Sequence, residues 1–144
     1  GNGERAYIGG TLSANPLSCV AGYYALVEME KTDAAAIAGR AGDRLTKGLQ
    51  AIIEKYSLPF VAYNQGSIVH LETAGTMLLD LKHPIRLLKQ LKPRKHMMEE
   101  MGAAYMANGL ITLAGSRMYT SMADIDEVID DALNRFESVL KECN

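Results

Sequence analysis

The chain has 144 residues, enough for one ordinary domain that buries a core without disulfides or metal. Hydrophobic residues make up 48% and charged residues 22%, which excludes a disordered or fibrous class, and the net charge of -2 leaves no basic footprint for nucleic acid. No stretch reaches the roughly 18 consecutive apolar residues that span a bilayer. Cys19 and Cys143 form no ligand spacing and read as free thiols, so a cytoplasmic protein is expected, with neither membrane nor nucleic acid as partner.

The first organised stretch is Gly9-Gly10-Thr11-Leu12-Ser13-Ala14-Asn15-Pro16-Leu17. Asn15 is a good N-cap and Pro16 a good first helical residue. The helix that follows, about 16 to 31, is apolar around most of its circumference and is expected to be buried on more than one side, Cys19 included. Thr32 and Asp33 are the next capping candidates. Ile37, Ala41, Leu45, Leu49, Ile52 and Tyr56 then keep a spacing near 3.6 residues, the clearest amphipathic helix in the chain, stopped at Ser57-Leu58-Pro59.

Phe60 to Tyr63 and Ser67 to Glu72 read as the strands of a hairpin around Asn64-Gln65-Gly66. Pro84 opens a helical segment through Ile85, Leu88 and Leu91. Beyond Pro93, Met97, Met98, Met101 and Tyr105 continue it to a stop at Asn108-Gly109, as two helices or one broken helix. The methionines, Met106 among them, read as core filling. Leu110 to Ala114 and Met118 to Thr120 are two further short strands around Gly115-Ser116-Arg117. A last helix begins at Ser121, with Asp124 as a weak capping partner and Ile125, Val128, Ile129, Leu133, Phe136 and Leu140 as its buried stripe. The order of elements predicts an α+β fold with a small, mostly antiparallel sheet of about four strands, preceded by a long helix.

Candidate chemistry is sparse. Gly9, Gly10 and Thr11 fit either a structural turn or an anion site, since glycine lets the backbone approach a phosphate and a hydroxyl adds a donor. The run matches neither a Walker A loop nor GxGxxG. His70, His83 and His96 fall on a strand, a loop and a helix without zinc spacing, and no nucleophile elbow is present. The basic run Lys89, Lys92, Arg94, Lys95 and His96 and the paired carboxylates read as solvated helix faces. No catalytic residue and no metal ligand is assigned.

Gly9 to Leu26, GGTLSANPLSCVAGYYAL, resembles the segment that follows the catalytic lysine in class III pyridoxal-phosphate aminotransferases. Ala38 to Ile52, Gly66 to Glu72, Tyr105 to Ile111 and the helix beginning ADIDEVID are similar, in order, to the C-terminal small domain of that family, particularly its glutamate-1-semialdehyde aminomutase-like branch. The resemblance implies a piece of a fold-type I, dimeric enzyme using pyridoxal 5'-phosphate and a small-molecule amino donor and acceptor. Residues 1–32 are then the end of the cofactor-binding large domain and 33–144 the small α+β domain. It further implies that Gly10 and Thr11 reach the cofactor phosphate of the neighbouring subunit in a homodimer.

The family's Schiff-base lysine and the aspartate at the pyridine nitrogen belong to a stretch before Gly1. Lys82 is the least implausible substitute and still reads as a loop residue; Lys31, Lys47, Lys55, Lys89, Lys92, Lys95 and Lys141 lie in or beside charged helices. The chain is therefore expected to be a fragment that is inactive by itself. Where aminomutase-like relatives carry Ser-x-Phe-Glu, this chain has Ser116-Arg117-Met118-Tyr119, which leaves the substrate open. Arg117 is either a ligand for a substrate carboxylate or an exposed turn residue. The alternative is a self-standing α+β regulatory or oligomerisation module without cofactor.

Overall fold

The computed structural model describes residues 9–10, 13–73 and 84–143. The elements are α1 (Pro16–Thr32), α2 (Ala34–Lys55), β1 (Val61–Gln65), β2 (Ile68–Glu72), α3 (Pro84–Ala107), β3 (Arg117–Tyr119) and α4 (Asp126–Leu140), closed by a 3-10 turn at Lys141–Cys143. They divide into two units, Gly1–Ala34 and Ala35–Asn144.

In the first unit, the Asn15 carboxamide oxygen accepts the Leu17 and Ser18 N–H groups at 3.0 and 3.3 Å, and Pro16 opens α1 as its lack of an N–H allows. The helix ends on Asp33 in the left-handed conformation, φ 52°, its N–H turned back to the Glu30 carbonyl. Thr32 donates its hydroxyl to the Glu28 carbonyl at 2.7 Å, so the expected N-capping pair closes α1 instead of opening α2. The expected burial of α1 is not met within this chain: none of its residues is buried, and Cys19 is exposed. Apolar residues spread around the whole helix offer no single face to one neighbour.

The second unit holds the core. Along α2, Ala41, Leu45, Leu49 and Ile52 are buried, as the spacing predicts, while Ile37 and Tyr56 at the ends of the expected stripe are half-buried and Ala38 takes the inward place beside Ile37. The helix stops where Ser57 turns left-handed, φ 51°, and the Leu58 N–H reaches back to the Ile53 carbonyl. The hairpin turn sits two residues beyond the expected start, at Gly66-Ser67 between the paired Gln65 and Ile68. A β-carbon on Gly42 would stand 2.3 Å from the Gly66 carbonyl oxygen, so a side chain there would hold α2 away from the hairpin. Thr120 fastens the same corner, donating to the Ala38 carbonyl at 2.7 Å.

The sheet is antiparallel with order β1-β2-β3 and three strands, one fewer than expected. Leu110 to Ala114 makes a single bridge, Leu113 to Arg117. The left-handed pair Ala114 and Gly115 folds that segment back on β3 too tightly for a ladder to extend. Helix α3 runs unbroken through Pro93, although proline donates nothing to the carbonyl four residues back. It closes at Gly109, φ 78°, with the Leu110 N–H on the Tyr105 carbonyl.

Helix α4 begins five residues after Ser121. The Asp124 carboxylate accepts the Ser121 N–H and hydroxyl at 2.6 and 2.9 Å, which ties a preceding turn and leaves the helix itself without a side-chain cap. Ile125 and Val128, expected in the stripe, are exposed. Ile125 precedes the helix with extended backbone, and Val128 is one step of about 100° off the row Ile129, Leu133, Phe136 and Leu140. Met101 is buried as expected of core filling, but Met106 is exposed.

One apolar cluster joins Ala62, Val69, Leu71 and Met118 of the sheet to Leu45 and Leu49 of α2, Met101 and Tyr105 of α3, and Ile129, Phe136 and Leu140 of α4. Tyr105 and Phe136 meet edge to face, centroids 5.1 Å apart. Among the described residues the buried Tyr105 hydroxyl has no hydrogen-bond partner, and burial keeps the phenol protonated far above its ordinary range. Tyr105→Phe removes only that orphaned group, so stability should be unchanged or rise by up to about 1 kcal/mol. The urea midpoint decides; a loss larger than that would mean the hydroxyl is satisfied in solution.

Candidate functional site

The candidate anion turn is built on Gly10, whose φ of 142° lies in the range that favours glycine. The Ser13 N–H donates to the Gly10 carbonyl at 3.1 Å. Thr11, the other candidate, lies outside the described residues. Helix α1 starts six residues after Gly10, and Asn15 already occupies its Leu17 and Ser18 N–H groups. An anion at this turn would therefore draw on the bare backbone around Gly10 and on the Thr11 hydroxyl, not on the donors of the first helical turn.

Arg117 opens β3 and is exposed, and among the described residues its guanidinium has no hydrogen-bond or ion-pair partner. Register places it opposite His70, which is opposite Tyr63 on the other side. The His70 ring stacks on Tyr63 with centroids 4.8 Å apart and an interplanar angle of 3°, and its Nδ1 stands 3.5 Å from a Glu72 carboxylate oxygen. This row on the outer sheet face is not visible in the sequence, because it depends on the register of three strands. Its only signal is the outward alternation at Ile68, His70 and Glu72.

His96 faces Glu100 one turn along α3 at 3.2 Å, and His83 and Lys82 lie outside the described residues. Among the described residues no three His, Cys, Asp or Glu side chains stand together as metal ligands. Burial and the neighbouring Glu142 push the Cys143 thiol up, away from thiolate chemistry. Lys55 donates to Glu137 at 2.6 Å; that bond holds the ammonium above its ordinary range and, with the Tyr56 hydroxyl, holds Glu137 below its own. A Schiff-base lysine needs the opposite, a desolvated amine of lowered pKa. The carboxylates Asp126 and Asp130 pair with Arg44 at 3.4 and 2.7 Å, tying α4 to α2. A depression lined by Ile37, Arg40, Met122 and Ile125 is open to solvent and mixed in polarity, unlike the enclosed apolar pocket that holds a cofactor. No described helix is long and apolar enough to cross a membrane.

No family model matches the chain. Among curated proteins it is 31% identical over 146 residues to the glutamate-1-semialdehyde 2,1-aminomutase of Persephonella marina, an alignment that covers 94% of this chain and 31% of that protein. It is 41% identical over 63 residues to glutamate-1-semialdehyde 2,1-aminomutase 2 of Halalkalibacterium halodurans, covering 44% of this chain and 14% of that protein. Among solved structures an omega-transaminase from Sphaerobacter thermophilus superimposes with a TM-score of 0.69 over 94% of this chain and 30% of the other, at 18% identity, a likeness of fold. The chain spans less than a third of the length of each of these relatives.

Proposed function

The chain belongs to the class III pyridoxal-phosphate aminotransferase family, whose C-terminal portion it matches, and from that premise we propose that it is the C-terminal part of an aminotransferase or aminomutase acting on a small amino acid or semialdehyde. The observation that carries this reading is the alignment over 94% of the chain with an aminomutase, together with a transaminase fold of the same extent. In this reading the catalytic lysine lies in the polypeptide that precedes Gly1, the enzyme is a homodimer, and residues 1–32 close the large domain.

Pyridoxal 5'-phosphate supplies the electron sink for amino transfer when bound. The residues here fit its phosphate in kind: Gly10 has backbone dihedrals and a bare surface that suit close approach, and Thr11 offers a hydroxyl donor. Asn15 and Pro16 fix the start of α1 behind that turn, so its position does not depend on the ligand. Gly10 and Thr11 serve the cofactor of the neighbouring subunit, and the second unit contributes dimer contacts and closes over the substrate.

In the full-length parent, Thr11→Ala removes one hydrogen bond to a charged group, worth about 1.5–3 kcal/mol. Cofactor retention on dialysis, followed by its absorbance, should fall by about tenfold or more. Unchanged retention removes the phosphate role from Thr11. The self-standing module keeps one supporting observation, the separate core of the Ala35–Asn144 unit. Borohydride reduction of the 144-residue chain with the cofactor should trap no adduct, whereas an adduct on one defined lysine would overturn the fragment reading.

A further inference from the structure

The C-terminal cap of α3 carries a chemistry independent of the cofactor. We propose that Asn108–Gly109 is a modification site, at which Asn108 converts spontaneously to aspartate and isoaspartate with water as the second reactant. Both residues are exposed, and Gly109 has no side chain of its own to crowd its backbone nitrogen. The Arg135 guanidinium donates to the Asn108 carbonyl oxygen at 3.0 Å, and a β-carbon on Gly109 would meet that same Nη1 at 2.5 Å. That carbonyl is the acyl half of the amide whose nitrogen must attack. A cation on its oxygen draws off electron density and favours the deprotonated nitrogen.

The atoms balance in two steps. The Gly109 nitrogen gives up its proton to hydroxide and attacks the Asn108 side-chain carbonyl carbon. The bond from that carbon to Nδ2 breaks, the leaving nitrogen takes a proton from the water just formed and departs as ammonia, hydroxide is regenerated, and a five-membered imide remains. Water then opens the imide at either carbonyl, to aspartate or to isoaspartate, so the net change is amide plus water to carboxylate plus ammonium.

The fold supplies the brake. The Gly109 N–H donates to the Met106 carbonyl at 3.0 Å, and Asn108 Nδ2 donates to the Ala104 carbonyl at 2.9 Å. Both bonds must open before attack, so the rate follows fraying of the last turn of α3. The product is not neutral for the fold. Isoaspartate lengthens the main chain by one carbon inside a cap held by the Leu110 to Tyr105 bond, and it displaces the carbonyl through which Arg135 joins α3 to α4. Either product also sets a carboxylate at the negative end of a helix.

The other described asparagines are poorer substrates. Asn15 precedes proline, which has no N–H, and Asn64 and Asn134 precede Gln65 and Arg135, whose side chains crowd the nitrogen. Asn2–Gly3 lies outside the described residues and on a different tryptic peptide.

The test is to age the 144-residue chain at mildly alkaline pH, folded and in urea, and to follow the tryptic peptide of residues 96–117 by mass and an isoaspartyl methyltransferase assay. Expected in the folded chain are two product isomers at Asn108, more conversion than at Asn64 or Asn134, and a rate several-fold below that in urea. Asn108 still intact when the urea sample has been consumed would overturn the proposal. Equal rates in the two samples would overturn the role of the cap.

Discussion

Replacing Gly115 by alanine is expected to destabilise the Ala35–Asn144 unit by about 3 kcal/mol. Two effects add. Gly115 has φ 73°, a conformation that costs an L-residue about 1 kcal/mol. A β-carbon there would stand 2.0 Å from the Met98 carbonyl oxygen and 3.3 Å from the Gly102 nitrogen, so the turn before β3 must retreat from α3. Such overpacking costs about 1–3 kcal/mol because the obstacle is backbone and cannot change rotamer. Gly66→Ala separates the two effects. Gly66 has φ 56° but no atom within 4 Å of the added carbon, so it should lose only the conformational part. Urea unfolding followed by circular dichroism measures both. Equal losses would mean that the approach to Met98 is not tight in solution.

The same glycine shows what local pattern can and cannot tell. Gly115-Ser116-Arg117 reads as a turn from composition alone, and the turn is there one residue earlier, at Ala114-Gly115-Ser116, with Arg117 already in β3. Its tightness is not legible, because it depends on how closely α3 passes, and that contact joins residues seventeen positions apart. With it goes the extra strand: Leu110 to Ala114 has strand composition but only one bridging residue. Pro93 errs the other way. Proline is a strong local signal for a break, yet one lost hydrogen bond does not end a helix of 24 residues. The stripe of α2 was legible from Ala41 to Ile52, because one apolar face repeated turn after turn outweighs local noise; only its ends, Ile37 and Tyr56, are half-buried.

For the candidate site, glycine chemistry and the Asn15-Pro16 helix start could be read directly: Gly10 has a φ that favours glycine, and Asn15 caps α1. Why a clamp would be wanted without a full phosphate loop cannot be read from spacing, since in the proposed function the reason lies in a neighbouring subunit. Arg117 shows the complementary limit. As a turn residue it has no neighbours to predict; as the first residue of β3 it stands in a row with His70 and Tyr63.

The phase of α4 gives the second large effect. Phe136 is 2% exposed and packs edge to face on Tyr105, at the centre of a cluster drawn from all three helices of the unit and the sheet. Phe136→Ala leaves a cavity beside Tyr105 inside this buried cluster and should cost about 3–5 kcal/mol. Val128 belongs to the same apolar series in the sequence but is 46% exposed, and Val128→Ala should change stability by no more than about 0.5 kcal/mol. The pair is a measurement of helix phase. If α4 also turned Ile125 and Val128 to the core, as the apolar series in the sequence suggests, Val128→Ala would cost 1 kcal/mol or more, in the range of a buried methyl pair lost, roughly 0.8 kcal/mol per CH₂. A small loss at Val128 beside a large one at Phe136 places the row Ile129, Leu133, Phe136 and Leu140 inward. It also fixes where Asp126 and Asp130 project, one step off that row toward Arg44.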